Sequence, residues 1–506
     1  MNYETSGTPE GTRRPPPKGR LTGLVDFAQA PNGRVFAYMR NQLLTTRGDE
    51  ARRFLAKQGD ESVTTLAPLG SYSLLGGVAD PLAAVARLRR VGILAQPNHV
   101  FFAHNFQPNP VFPTPVFPTP VFPTGAGGCG CCCGGGSGCP PHPSDPCCAG
   151  GSHAYPVFPT PVFPTPVFPT PVFPTPVFPT PVFPTGAGGC GCGCGGHSRP
   201  NPVFPTPVFP TQMKSSARPA TASPSEIQAL AEAAAKNNLD NPPRVYVLDT
   251  GLAIANKRSD ALAGVRVAAF DTNHDLDGPD EDGDLGLDPC AGHGTFIAGV
   301  VNQVAPGCEV ILHRVISTFA WCPEDAIVEC INSLPHDETA KNSILSLSFG
   351  GDTLDYPEAM AGAIAGVQDA GMVVVASAGN AGTCTPVFPA AFPEVVSVGA
   401  IGPNGPAPFT NYGPWVRACA PGVDIVSTFF KGFQGSEPAP PSGTDPDNFA
   451  GWARWSGTSF SAPVVAGALA RTMIADGCDA KTAVARVIDA PALMRIPNLG
   501  TVVNVI

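Results

Sequence analysis

No stretch of the 506 residues is apolar for long enough to span a membrane. The first 24 residues, Met1 to Leu24, are polar and Pro-rich and lack an apolar h-region, so no secretory leader is expected. That leaves a chain acting inside the cell, one exported by another route, or one whose true start lies elsewhere. Paired Cys-X-X-Cys motifs are also missing. Ten of the 17 cysteines crowd residues 125–154 and 186–200 in Cys-Cys and Cys-X-Cys spacings, which argues against structural zinc. Soft-metal binding through these thiolates and His142, His153 and His197 is one reading. A Gly-rich spacer whose cysteines cross-link or do nothing is the plainer one. Residues 244–506 carry 13 Lys+Arg against 28 Asp+Glu, so nucleic acid is not an expected partner. Residues 1–105 carry 13 against 8, and the two parts should attract each other.

Proline and glycine are in excess, with 61 and 57 residues, and they concentrate in the middle of the chain. Pro-Val-Phe-Pro-Thr occurs eleven times within residues 106–211, in blocks at 110–124, 156–185 and 202–211. Proline fixes φ and removes amide donors, so polyproline II and a semi-rigid spacer are expected there. Proline after a scissile bond also makes the repeats poor targets for proteolysis.

The composition divides the chain into five parts: a disordered N-terminus (1–30), a small domain (31–105), the repeat linker (106–211), a connecting helix (212–243, helical over 224–238) and a large domain (244–506). In the small domain the pattern predicts a strand over 34–46, a helix over 49–58 and, over 62–75, a pair of strands or one long one. A helix over 80–91 and a strand ending at Ala103 follow. This βαββαβ order fits a ferredoxin-like α+β fold. From Arg244, apolar strands (244–248, 265–269, 310–315, 343–348, 372–376, 395–398) alternate with helices (293–303, 322–333, 356–370, 459–475). That alternation predicts an α/β domain built on a parallel sheet.

The chemistry sits at the ends of these elements. Gly457-Thr-Ser459-Phe-Ser-Ala-Pro463 places a serine at a helix start, where free backbone N–H groups stabilise negative charge. Arg244-Val-Tyr-Val-Leu-Asp249 delivers a carboxylate to a strand end, and Gly292-His293-Gly-Thr puts an imidazole at a helix start. Ala376-Ser377-Ala378-Gly379-Asn380 ends another strand with an amide. Asp249, His293, Ser459 and Asn380 are the orienting acid, base, nucleophile and oxyanion donor that acyl transfer requires.

The order Asp, His, Ser and the surrounding motifs resemble those of subtilisin-like serine proteases, from Pro243 to the C-terminus. Ser346-Leu-Ser348-Phe349-Gly350-Gly351, Phe388-Pro-Ala-Ala-Phe-Pro393 and Asn411-Tyr-Gly-Pro414 extend the resemblance. It implies a serine endopeptidase acting on polypeptides, with substrate paired along Ser348, Phe349 and Gly350. It also implies a pocket walled by Ala376, Ser377, Ala378, Gly379 and Val387, where valine biases the pocket to small or medium apolar side chains. Beside such a domain, residues 31–105 resemble a propeptide, with Pro97-Asn98 as the best match. A self-processed zymogen inhibited by its own prodomain is then expected.

Relatives often bind Ca²⁺, and the acidic loop His274 to Asp288 suits it, but Leu276 and Leu285 stand where an EF-hand needs glycine. A solvated loop that needs no cofactor is the alternative. Cys322 with Cys330, or Cys384 with Cys419, would pair in an oxidising compartment. Two other functions stay open: a protease dedicated to one precursor, and a repeat-bearing interaction or metal-binding scaffold with a tethered protease.

Overall fold

The computed structural model describes residues 18, 19, 21, 23–103, 211, 212, 232, 241–433 and 449–503. The repeats, the Gly/Cys segments and the helix expected over 224–238 lie outside the described residues, save for 211, 212 and 232.

The N-terminal part runs β1 (Val25–Gln29), β2 (Val35–Thr45), α1 (Gly48–Lys57), β3 (Thr64–Leu69), β4 (Tyr72–Gly76), α2 (Pro81–Arg90) and β5 (Ala95–Ala103). Four of its strands form an antiparallel sheet in the order β5-β2-β4-β3. Strand β1, within residues expected to be disordered, pairs with the first half of β2, so ordered structure begins earlier than the composition implied. Its Val25 is buried against Ala37 and Val100, and that burial outweighs the Pro-rich context. Helix α2 starts where the sequence signals a start. Pro81 takes the first turn and Asp80 accepts the Ala83 amide at 3.0 Å. Its Ala84, Val85 and Leu88 pack with Leu55 of α1 and with Leu43 and Leu75 of the sheet.

After β6 (Thr211–Gln212) come β7 (Arg244–Asp249), β8 (Leu252–Ala253), β9 (Val267–Ala269), β10 (Leu276–Asp277) and α3 (His293–Val304). Then follow β11 (Glu309–Arg314), β12 (Trp321–Pro323), α4 (Glu324–Asn332), β13 (Ser343–Leu347), β14 (Phe349–Gly350) and α5 (Glu358–Asp369). Next are β15 (Val373–Ser377), β16 (Val396–Gly402), β17 (Gly405–Pro406), β18 (Ala418–Pro421), β19 (Ile425–Phe433) and β20 (Phe449–Trp455). The chain closes with α6 (Thr458–Asp476), α7 (Ala480–Val487), β21 (Arg495–Ile496) and β22 (Gly500–Val502).

The core sheet runs β22-β18-β16-β15-β13-β7-β11-β9, with each of these neighbours parallel. The chain returns to one side of β7 as β11 and to the other side as β13. The C-terminal end of β7 therefore lies at the switch in winding direction, where open α/β sheets place their sites. Helix α6 is buried along nearly its whole length, as its apolar composition on every side requires. The antiparallel pair β19–β20 and helix α7 were not anticipated from the pattern.

Strand β5 does not end within its own sheet. Its residues Val100, Phe101 and Phe102 pair antiparallel with Pro323, Cys322 and Trp321 of β12, and Phe102 and Ala103 pair with Gly350 and Phe349 of β14. Because Phe102 has a partner in both strands, β5 lies between them. Phe101 and Ala103 are fully buried.

Candidate active site

Strand β7 is apolar on both faces and ends in Asp249; helix α3 begins at His293. His293 Nδ1 lies 2.8 Å from Asp249 Oδ1, which also accepts the Thr250 amide at 2.8 Å. Both side chains are fully buried. The close approach depends on glycine. Gly292 has φ +80°, and a Cβ on Gly294 would meet the Gly251 carbonyl oxygen at 2.5 Å. Trp455 and Phe460 stand 5.3 Å from the imidazole and close its apolar side.

Ser459 sits in the first turn of α6. Pro463, four residues on, has no amide to donate, so the Ser459 carbonyl is left without its helical partner. Ser348 fills that place: its hydroxyl donates to the Ser459 carbonyl at 2.9 Å. The Ser459 hydroxyl in turn donates to the Ser348 carbonyl at 3.4 Å. His293 Nε2 has no protein partner among the described residues. Asn380 Oδ1 accepts both the amide and the hydroxyl of Thr458 at 2.9 Å, and the Thr458 hydroxyl also accepts the Gly379 amide at 3.2 Å. The amide group is thereby oriented with its oxygen toward the start of α6. Sequence reasoning named Asn380 but missed Thr458 and the Ser348 hydroxyl. The signal for Ser348 was present, since a proline four residues after a helical serine frees that serine's carbonyl.

The residues named as cleft walls are brought to one end of the sheet. Ala376 and Ser377 close β15 and are buried, Ala378 donates its amide to Val398, and Gly379 takes φ +105°. Val387 is buried beside Phe388, which exchanges backbone hydrogen bonds with Gly351 just beyond β14.

Gln96, Asn98 and His99 of β5 were not singled out as contact residues, yet they are buried against the starts of α4 and α5. Gln96 donates to Glu324 Oε1 at 2.7 Å and accepts the Ala359 amide at 3.2 Å. Asn98 donates to Asp325 at 2.7 Å and accepts the Asp325 amide. The Leu354 amide donates to His99 Nε2, so Nδ1 carries the proton and gives it to Glu324 Oε2 at 2.6 Å. Toward the rim, Arg34 pairs with Asp352 and Arg89 with Asp355, each joining a basic residue of the N-terminal part to an acid of the large domain.

The acidic loop is less solvated than its composition suggests. Asp275 is buried, accepting the Arg314 and Asp271 amides, and Asp277 is buried at the base of the site. Asp280, Asp282 and Asp288 bring carboxylate oxygens within 4.8 Å of one another, the arrangement closest to a cation site among the described residues. Loop amides already donate to these carboxylates, with Asp280 taking Gly283 and Leu285 and Asp288 taking Glu281. Neither cysteine pair is bridged. Cys322 faces the Phe101 carbonyl, while Cys384 is exposed and Cys419 fully buried. Burial pushes the thiols of Cys290 and Cys322 well up, with Asp249 adding to both, so neither is an activated nucleophile.

Burial also raises the Asp277 carboxyl to about 8, against the opposing pull of Arg314 and of its bonds from Thr250 and Gly292. The folded state therefore holds a proton that the unfolded chain releases near pH 3.8, and the contribution of Asp277 to stability falls as pH rises from about 4 to about 8. Asp277→Asn, which cannot ionise, should gain thermal stability relative to the native chain across that window and hold a constant margin above it. Melting curves from pH 5 to 9 check this.

Residues 240–487 match the model of the subtilase family. The chain is 30% identical over 227 residues to a thermophilic serine proteinase of Bacillus sp. (strain AK1), covering 40% of this chain and 51% of that protein. It is 30% identical over 241 residues to subtilisin-like protease 3 of Pseudogymnoascus destructans, covering 44% and 50%. With an intracellular serine protease of Paenibacillus polymyxa it shares 33% over 240 residues, covering 41% and 66%. The first of these relatives are matched over about half their own length. Residues 240–487 are thus a domain of the subtilase family.

Proposed function

We propose that the chain is a subtilisin-like serine endopeptidase made as a self-processed zymogen. The observation that carries the reading is the Asp249–His293 pair at 2.8 Å, with Ser459 at the start of a buried helix and Asn380 fixed beside it. In the proposed reaction the Ser459 oxygen attacks a peptide carbonyl while His293 Nε2 takes its proton. Asp249 holds the Nδ1–H tautomer and stabilises the imidazolium. The Ser459 amide and Asn380 Nδ2 bind the oxyanion. His293 then protonates the leaving amine, and water, deprotonated by the same imidazole, releases the acyl group from Ser459. The hydroxyl of Ser459 is directed to the Ser348 carbonyl at 3.4 Å, a weak bond that a substrate amide pairing along β14 would compete for.

The inhibitory role of the N-terminal part is supported by β5, which fills the place between β12 and β14 as an extended peptide would. The strand order β5-β2-β4-β3 supports a ferredoxin-like prodomain. Ala103 pairs antiparallel with Phe349, the residue after Ser348, so self-cleavage is expected a residue or two beyond Ala103.

The test is labelling with a fluorophosphonate, followed by peptide mapping, alongside hydrolysis of an unstructured protein. Label on Ser459 with cleavage supports the proposal; no label and no cleavage removes it. Buried Val387 in the pocket wall should favour Ala, Val or Leu before the cut. A scan of that position in model peptides preferring Phe or Tyr would overturn this part.

A further inference from the structure

We infer that Asp277 is a positioning residue for the reaction proposed above, tying the strand end that carries Asp249 to the helix start that carries His293. Asp277 lies on β10, which pairs with β8 just beyond the end of β7. Its Oδ2 accepts the Thr250 hydroxyl at 2.6 Å and the Gly292 amide at 2.8 Å. The Thr250 hydroxyl oxygen accepts the Gly294 amide at 3.0 Å. One carboxyl and one hydroxyl thus hold the residue after Asp249 and both neighbours of His293. Those neighbours are glycines, with no side chains to grip, so their amides are the handles available.

Charge explains why this group suits the place. Asp277 is fully buried, and its Oδ1 has no protein partner among the described residues. The charged groups acting on it are Arg314 of β11 and Glu281 of the acidic loop; it and Asp249 both act on the Cys290 thiol. Burial keeps Asp277 protonated at neutral pH. A neutral acid accepts both hydrogen bonds through its carbonyl oxygen without setting a second anion beside Asp249. The imidazolium formed on His293 then meets one carboxylate.

The test compares Asp277→Asn, Asp277→Leu and Thr250→Val in the full chain, with rates normalised to titratable Ser459. Asn keeps the acceptor, so kcat should stay within about threefold of the native value while the pH profile loses a change near pH 8. Leu removes the acceptor; kcat should fall at least tenfold with KM within about twofold. Thr250→Val should do the same and should not add to Asp277→Leu.

Native kcat and pH profile in Asp277→Leu would overturn the inference. An Asn variant as impaired as Leu would overturn the neutral-acid role. If Leu does not fold, Asn and Thr250→Val decide. Histidine-selective NMR reads His293 without turnover, which separates the two readings. Absence of peptide hydrolysis by the native chain defeats the proposed function, whereas an identical His293 titration in the native chain and the variants defeats this inference.

Discussion

Ser459→Ala is expected to remain a single chain of 52.0 kDa where the native protein loses an N-terminal fragment ending a residue or two beyond Ala103. The reason is local. On the proposed reading Ser459 is the nucleophile, and it opens α6 beside Asn380, whose oxygen takes the neighbouring Thr458 amide. The nearby thiols of Cys290 and Cys322 are raised by burial and cannot substitute. Turnover on a peptide should fall by about 10³–10⁶, leaving whatever the oxyanion site and binding supply alone. Intact mass of the two proteins side by side, with peptide rates, reads both effects. A variant that still cleaves itself would place the nucleophile elsewhere. Two proteins that both stay whole would break the link between this site and maturation.

Phe101→Ala should produce the second large effect, release of inhibition. Phe101 is fully buried among Cys322, Ile327, Leu347 and Phe349 of the large domain, so it anchors β5 in the cleft. Truncating a buried phenylalanine costs roughly 3–5 kcal/mol. On that scale the N-terminal fragment should be held about a hundredfold or more less tightly after cleavage. Arg34 with Asp352 and Arg89 with Asp355 are partly exposed pairs and cannot make up such a loss. Progress curves of the self-cleaved preparation should show a lag for the native protein and none for Phe101→Ala, with the fragment no longer co-eluting on gel filtration. Equal lags would mean that the strand is not the inhibitor.

The parallel sheet was legible because its strands are continuous apolar runs, such as Val245 to Leu248 and Val373 to Ala376, separated by Ala- and Gly-rich helices. Asp249, His293 and Ser459 were legible as candidates because each stands at the end or start of such an element, and Asn380 because it follows one by three residues. Side-chain partners were not. Asp277 reads as one more acid in a charged loop until β10 pairs with β8 and buries it. Gln96 and His99 look like surface residues of a strand until the starts of α4 and α5 meet them. The antiparallel pair β19–β20 escaped because its alternation is broken by register shifts between Thr428 and Phe433. Strand β1 escaped because five residues beside a Pro-rich stretch leave too short a pattern.

Pro463 is usually read as a fault within a helix, yet here it joins Ser348 and the helix start at Ser459 into a single mechanical part. The carbonyl it releases is taken by Ser348, the residue just before β14. A shift of that strand along the cleft would pull directly on the first turn of α6, and a tilt of α6 would drag the strand with it. On the proposed reading, the bond to be cut and the oxygen that cuts it are therefore indexed to one another through a single hydroxyl-to-carbonyl bond, from Ser348 to Ser459.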